Sequence, residues 1–209
     1  MSKFLTEQEN FWAGNFGDQY IERNIGNKLL ASNINFFVKA LNAISPIKDC
    51  IEFGSNVGMN LKALSFIYPQ MKQSAIEINE KAIVELRRLM PETNIYNQSI
   101  LDFKSDKKWD LVLIKGVLIH INPSQLDKVY ENLINATGKY LLVCEYYNPS
   151  PISLTYRGNK DKLYKRDFAG ELLDRYDSIK LIDYGFCYHK DNKFPQDDIN
   201  WFLMEKTSL

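Results

Sequence analysis

Cys50-Ile51-Glu52-Phe53-Gly54-Ser55-Asn56-Val57-Gly58 is a short apolar run that ends in a glycine-containing turn, and Asn60 to Ile67 after it carry a helical pattern. Strand, tight turn and helix in that order begin a βαβ unit. Upstream, Lys28 to Ile44 place Ile34, Phe37, Val38, Leu41 and Ile44 at helical spacing, and Ser45-Pro46 stop the helix. Downstream, Ser74 to Ile78 read as a second strand. Asn79 then caps a helix that ends at Met90-Pro91, and Asn94 to Ser99 read as a third strand.

Trp109 to Ile114 (WDLVLI) form a continuous apolar run, the mark of a strand covered on both faces. Asn122-Pro123 open a helix whose apolar stripe is Leu126, Val129, Tyr130, Leu133 and Ile134, with Gly138 as its closing residue. Tyr140 to Glu145 give a fifth strand. After an irregular stretch, Ile179 to Asp183 and Trp201 to Glu205 read as two late strands joined by a long polar turn without a helix. This order predicts an α/β fold with a single doubly wound, mostly parallel seven-stranded sheet and a C-terminal antiparallel hairpin.

A chain of 209 residues supports one sizeable core rather than two enzyme domains. Lys+Arg and Asp+Glu both number 26, so there is no basic footprint for nucleic acid or an anionic membrane surface. The opening MSKFLTEQENFWAG has no apolar core of a signal peptide, and no apolar run reaches bilayer length. Cys50, Cys144 and Cys187 are odd in number and form no CxxC pair, which fits reduced thiols in a cytoplasmic protein. His120 and His189 stand far apart, so no metal cluster is expected.

Ligands of such sheets lie beyond the carboxyl ends of the strands, where strand order reverses. Gly54 and Gly58 sit there and would let backbone approach a ligand closely. Glu77 closes the second strand at roughly the twenty-residue distance of an acidic ribose ligand, and its carboxylate can accept from both ribose hydroxyls. A dinucleotide fingerprint would need glycines where Asn56 and Met59 stand, which disfavours an NAD-dependent oxidoreductase.

Glu52-Phe53-Gly54-x-Asn56-x-Gly58 resembles the E-x-G-x-G-x-G motif of class I S-adenosylmethionine (SAM) dependent methyltransferases, with Asn56 in place of the middle glycine. Lys115-Gly116-Val117-Leu118-Ile119-His120-Ile121 resembles the VLxH[IL] segment that follows their fourth strand, and their Rossmann-like sheet usually ends in the same antiparallel hairpin. The resemblance implies SAM as cofactor and S-adenosylhomocysteine (SAH) as product, without a metal. It implies Gly54, Asn56 and Gly58 at the amino-acid end of SAM, Glu77 on the ribose, and Ser99-Ile100 where such enzymes carry Asp-Ala against adenine. Ser99 is a departure, since a hydroxyl holds an exocyclic amine less strongly than a carboxylate. Asn60, Ile78 and Lys115 complete the cofactor set.

Longer strings narrow the likeness: Glu9-Asn10-Phe11-Trp12-Ala13-Gly14-Asn15-Phe16-Gly17-Asp18, Glu145-Tyr146-Tyr147-Asn148-Pro149-Ser150-Pro151, Tyr156-Arg157-Gly158, Lys165-Arg166-Asp167-Phe168-Ala169-Gly170-Glu171 and Phe194-Pro195-Gln196-Asp197-Asp198. Together they resemble methyltransferases associated with pseudaminic acid biosynthesis, over nearly the whole chain. That implies a small sugar-derived acceptor, a nonulosonic acid or pathway intermediate, methylated on O or N.

Methyl transfer needs alignment of acceptor, methyl and sulfur, and loss of a proton from the nucleophile. His120, Glu145 and Tyr146 are the candidates for that work, at the ends of the fourth and fifth strands. His120 has a reference pKa suited to a base, although packing against the helix at Pro123 is its other reading. Tyr147, Tyr156, Arg157, Lys165 and Arg166 are the candidate acceptor ligands, the last three a basic cluster suited to a sugar carboxylate. Residues 1–27, with Trp12, Phe16, Tyr20 and Arg23, are expected to form a lid that contacts SAM, and 28–209 the transferase domain with an acceptor-binding insert at about 146–172. His189 and Asp197-Asp198, on the long turn between the late strands, receive no role. A non-catalytic SAM-binding partner of a sugar-biosynthesis complex is the reading from another class. Acceptor atom and oligomeric state stay open.

Overall fold

In the computed structural model, which describes residues 4–207, nine strands are formed. They are β1 (Asp49–Phe53), β2 (Lys72–Glu77), β3 (Asn94–Asn97), β4 (Trp109–Lys115), β5 (Thr137–Glu145), β6 (Ile152–Tyr156), β7 (Asn159–Lys165), β8 (Ile179–Cys187) and β9 (Ile199–Lys206). The helices are α1 (Glu7–Ala13), α2 (Asn15–Tyr20), α3 (Asn27–Ala40), α4 (Met59–Ile67), α5 (Glu80–Leu89), α6 (Leu126–Ala136) and α7 (Phe168–Arg175). Seven strands make one sheet in the order β3-β2-β1-β4-β5-β9-β8, with β1 to β5 parallel and β9 antiparallel to both its neighbours. The expected architecture is found, including the closing hairpin.

Side-chain alternation along the strands builds the two layers. Ile51, Phe53, Val112, Ile114, Leu141 and Val143 point to one face and pack with Val129, Tyr130 and Leu133 of α6. Cys50, Leu111, Leu113, Leu142 and Cys144 point to the other and pack with Phe36 and Phe37 of α3 and Leu61 and Leu64 of α4. Buried side chains of this size each stabilise the fold by about 1.5–3 kcal/mol. The two helical layers therefore fix the sheet, and its strand tips become a rigid rim. The sheet order reverses between β1 and β4, which opens the crevice there.

Three local expectations are corrected. The first long helix ends at Ala40 rather than Ile44, and its buried face uses Phe36 and Phe37 while Val38 is exposed. Gly138 does not close α6. That helix ends at Ala136, and Gly138 already lies in β5, where a Cβ would come within 2.8 Å of the Trp109 carbonyl oxygen. The stretch after β5 is not irregular: β6 and β7 form a separate antiparallel hairpin around Arg157-Gly158, and α7 follows it.

The segment expected as a lid holds α1, α2 and a 3-10 turn at Ile21–Asn24, and the span 146–172 holds the hairpin and the start of α7. Residues 1–3 and 208–209 of the expected spans lie outside the described residues. A capping box starts α1: Thr6 Oγ1 accepts from Glu9 N at 3.1 Å, and Glu9 Oε2 accepts from Thr6 N at 2.8 Å. Gln8 Nε2 donates to the Asp161 carbonyl at 3.1 Å, and Lys162 pairs with Glu7, so α1 is tied to β7. At its other end Asn79 Nδ2 donates to the Trp12 carbonyl at 3.2 Å. Among the described residues, no helix is long and apolar enough to cross a membrane.

Candidate functional site

The turn after β1 hangs from β2: Gly54 N and Ser55 N both donate to the Ile76 carbonyl, at 2.9 and 3.1 Å. Asn56 adopts a left-handed conformation, φ 47°, and its N–H donates to Glu77 Oε2 at 2.6 Å. Asparagine tolerates that conformation better than other side chains, which explains how it stands where the motif usually has glycine. Glu77 Oε1 in turn accepts from Ile78 N at 2.9 Å and Asn79 N at 2.8 Å. One carboxylate thus joins the tips of β1 and β2. Burial pushes its pKa up, and the three N–H donors pull against that. A carboxylate has about four acceptor sites, so Glu77 keeps capacity for a ligand.

A cavity of about 520 Å³ lies over these tips, a size suited to a nucleoside-bearing ligand. Gly54, Asn56, Asn60, Glu77, Ile78, Ser99, Ile100 and Lys115 line its sheet side, and Trp12 and Tyr20 its roof. Asn60 Nδ2 donates to Glu52 Oε1 at 2.6 Å, while Asn60 Oδ1 and Glu52 Oε2 are buried and unpartnered. Burial pushes Glu52 up to about 8, against the Asn60 amide and the nearby Lys115 charge. Of the two, Asn60 lines the cavity, and its orphaned amide oxygen suits an ammonium group.

The remaining wall is aromatic. His120 is buried, with its ring between Trp12 at 4.6 Å and Tyr156 at 4.9 Å. Nδ1 lies 2.6 Å from the Lys162 carbonyl oxygen, so it carries the proton and leaves Nε2 as an acceptor. Burial lowers its pKa to about 4 against that carbonyl. His120 is therefore neutral at physiological pH. In an NMR titration its ring signals are expected to hold their neutral positions from pH 7.5 down to about 5, by the size of that shift. A midpoint near the ordinary value would contradict this environment.

Burial, and then the nearby Asp197 carboxylate, hold the Tyr146 phenol well above its ordinary value. Arg157 sits 5.6 Å over the Tyr156 ring. His189 Nδ1 meets both oxygens of Asp198, at 2.8 and 2.9 Å, and Gln196 Nε2 donates to Asn33 at 2.8 Å. Tyr146, Tyr156, Arg157, His189, Gln196 and Asp197 all line the same cavity.

No family model and no curated protein matches the chain. Solved structures do. Magnesium protoporphyrin IX methyltransferase (ChlM) from Synechocystis PCC 6803 with bound SAM superposes with a TM-score of 0.68 at 12% identity, over 99% of this chain and 100% of that chain. The plantazolicin methyltransferase BpumL in complex with SAH gives a TM-score of 0.67 at 14% identity, over 96% and 94%. An S-adenosylmethionine-dependent methyltransferase from Clostridium acetobutylicum ATCC 824 gives 0.63 at 13%, over 92% and 98%. The chain has the class I methyltransferase fold.

Six of the expected site residues lie elsewhere on that class I scaffold. Gly58 does not line the cavity; its φ of 82° needs glycine, and a Cβ there would run into Leu86 of α5. Gly54 does line the cavity, but the space left by its missing Cβ is filled by Val117, 2.7 Å away. Both glycines thus make room for protein rather than ligand. Arg23 is exposed outside the cavity. Glu145 turns back into the protein, where Oε1 accepts from Val117 N and Leu118 N, both at 2.9 Å. It holds the 3-10 turn at Leu118–His120, and burial pushes its pKa up to about 7. Tyr147 packs near Phe202, Lys165 lies 5.0 Å over the Tyr146 ring, and Arg166 is paired with Glu171 at 2.6 Å. Of the basic cluster, Arg157 alone borders the cavity.

Sequence reasoning missed the long loop between β8 and β9, which supplies His189, Gln196 and Asp197 to the cavity. It also missed Gln8 and Glu9 on α1. Glu9, Gln196 and Asp197 stand within the longer strings, which was the one signal available; Gln8 and His189 stand outside them.

Proposed function

We propose that the protein is a cytoplasmic SAM-dependent methyltransferase that acts on O or N of a small sugar-derived acceptor of nonulosonic-acid type. The observation that carries this reading is one cavity, at the switch point of a class I fold, lined by both Glu77 and Asn60, whose Oδ1 has no hydrogen-bond partner. When bound, SAM supplies an electrophilic methyl group on its sulfonium. Glu77 would accept from the ribose hydroxyls, and Asn60 Oδ1 would receive the ammonium of the amino-acid end. Ile78 and Ile100 flank the base. Trp12, Tyr20 and Tyr156 keep water from the reacting atoms.

His120 Nε2 accepts a hydrogen bond from the O–H or N–H of the nucleophile and so orients its lone pair. The low basicity of His120 makes it an orienting acceptor: it aligns the lone pair during transfer, and the methylated oxygen or nitrogen gives its proton to water as the product leaves the cavity. Glu145 acts through His120 by fixing the turn that carries it. Arg157 offers a guanidinium to an acceptor carboxylate. The sugar-acid class is supported by that cation and by the likeness of the longer strings to methyltransferases associated with pseudaminic acid biosynthesis.

The test is to incubate the protein with methyl-labelled SAM and a panel of nonulosonic acids, free and nucleotide-linked, while measuring SAH binding by calorimetry. Label on one panel member is the expected result. Binding of SAH without label on any sugar would favour the non-catalytic partner, and no binding would remove the cofactor reading itself.

A further inference from the structure

Glu9 is 6% exposed, and its Oε1 has no hydrogen-bond partner although the side chain borders the cavity. The other oxygen, Oε2, is taken up by Thr6 through the backbone N–H at 2.8 Å and Oγ1 at 2.9 Å. A buried carboxylate oxygen without a donor is costly, so the site calls for a ligand that brings an N–H or O–H to it.

The course of α1 says which part of a ligand that is. Near one end Gln8 Oε1 accepts from Asn122, beyond β4, at 3.5 Å; at the other Trp12 O accepts from Asn79, beyond β2. Glu9 hangs between these anchors. The loop after β3 is held by α6 and the core, since Asn132 of α6 donates to the Ile100 carbonyl at 2.8 Å and Ile100 and Leu101 share a core with Leu118 and Ile119. The result is an apolar slot bordered by Ile78 and Ile100, whose polar neighbour Ser99 already accepts from Leu101 N through Oγ at 3.1 Å. An apolar border of this kind suits a flat heteroaromatic ring, and Glu9 lines the same cavity as Ile78, Ser99 and Ile100.

We infer that Glu9 reads the exocyclic amine of the bound nucleoside base from the roof, a contact that ties closure of α1 to the identity of the base. This rests on the cofactor reading above. A carboxylate in the roof takes over the discrimination that Ser99, a hydroxyl already in use, does not supply. A 6-oxo purine would set a carbonyl against the carboxylate and be rejected.

Glu9→Gln makes the contact testable. Glutamine also serves a capping box, so α1 keeps its start. The donors of Thr6 hold the amide oxygen, which turns the NH2 toward the slot, where it repels an amine and suits a carbonyl. Calorimetry with SAH and its deaminated analogue S-inosylhomocysteine is the measurement. Wild type should bind SAH at least tenfold more tightly than the analogue, and Glu9→Gln should level or reverse that ratio. Wild type that binds both equally, or a variant that keeps the wild-type ratio, overturns the inference while leaving the cofactor reading intact. A variant whose only change is in the acceptor KM overturns it too. Wild type that binds neither nucleoside removes both readings at once. The wild-type comparison holds even if the variant fails to fold.

Discussion

Glu77→Ala should weaken SAH binding by about 100-fold. Two hydrogen bonds from ribose hydroxyls to a carboxylate are together worth on the order of 3 kcal/mol, which corresponds to that factor. The loss has a second source in the protein itself. Asn56, Ile78 and Asn79 all donate to the Glu77 carboxylate, so its removal loosens the two turns that shape the cavity floor. Glu77→Gln keeps the size and part of the accepting capacity, and should fall between wild type and alanine. Calorimetry on the three proteins checks the order, and equal affinities would sink the assignment of Glu77 to the ribose.

Glu145→Ala should lower stability by about 2–4 kcal/mol and abolish turnover, with SAH affinity changed far less. The carboxylate is buried at the end of β5, and its loss strands the N–H groups of Val117 and Leu118 without a partner. Each buried donor left unpaired costs about 1–3 kcal/mol. For a chain of this length that lowers the melting temperature by roughly 5–15 °C. Turnover falls because the same turn carries His120 into the cavity. Thermal melts combined with SAH titration separate the two effects. A variant with wild-type stability and altered acceptor KM would return Glu145 to the acceptor site.

The sheet was legible because the burial of its strands is written in the chain. β4 is buried through Leu111, Val112, Leu113 and Ile114, and an apolar run this short, placed between polar segments, suits a strand covered on both sides. The glycine turn and Glu77 were legible because chain spacing alone sets them one strand apart. The β6–β7 hairpin was not. Most of β6 is exposed, which erases the alternation that marks a strand, and its Arg157-Gly158 turn carries arginine at the first left-handed position, φ 49°, where asparagine, aspartate or glycine is the usual signal. Gly138 misled for a physical reason: a glycine after a helical stripe signals a cap, yet here it clears the Trp109 carbonyl across the ladder.

Within the site, residue type was read better than direction. An acid at a strand tip beside the crevice suggests contact with ligand, but Glu145 reaches back to N–H groups 26 to 28 positions earlier. Spacing carries no trace of that return. Asp197 and Asp198 look like a solvated turn, although the first meets Tyr146 and the second grips His189. Loop length told nothing about the cavity that Asp197 and His189 line.

A crystal structure of the protein with SAH tests the central claim most directly. The account predicts the nucleoside across the tips of β1 and β2, with both ribose hydroxyls hydrogen-bonded to the Glu77 carboxylate and the amino group at Asn60. A nucleoside seated elsewhere, or one in this cavity whose ribose leaves Glu77 untouched, would contradict it.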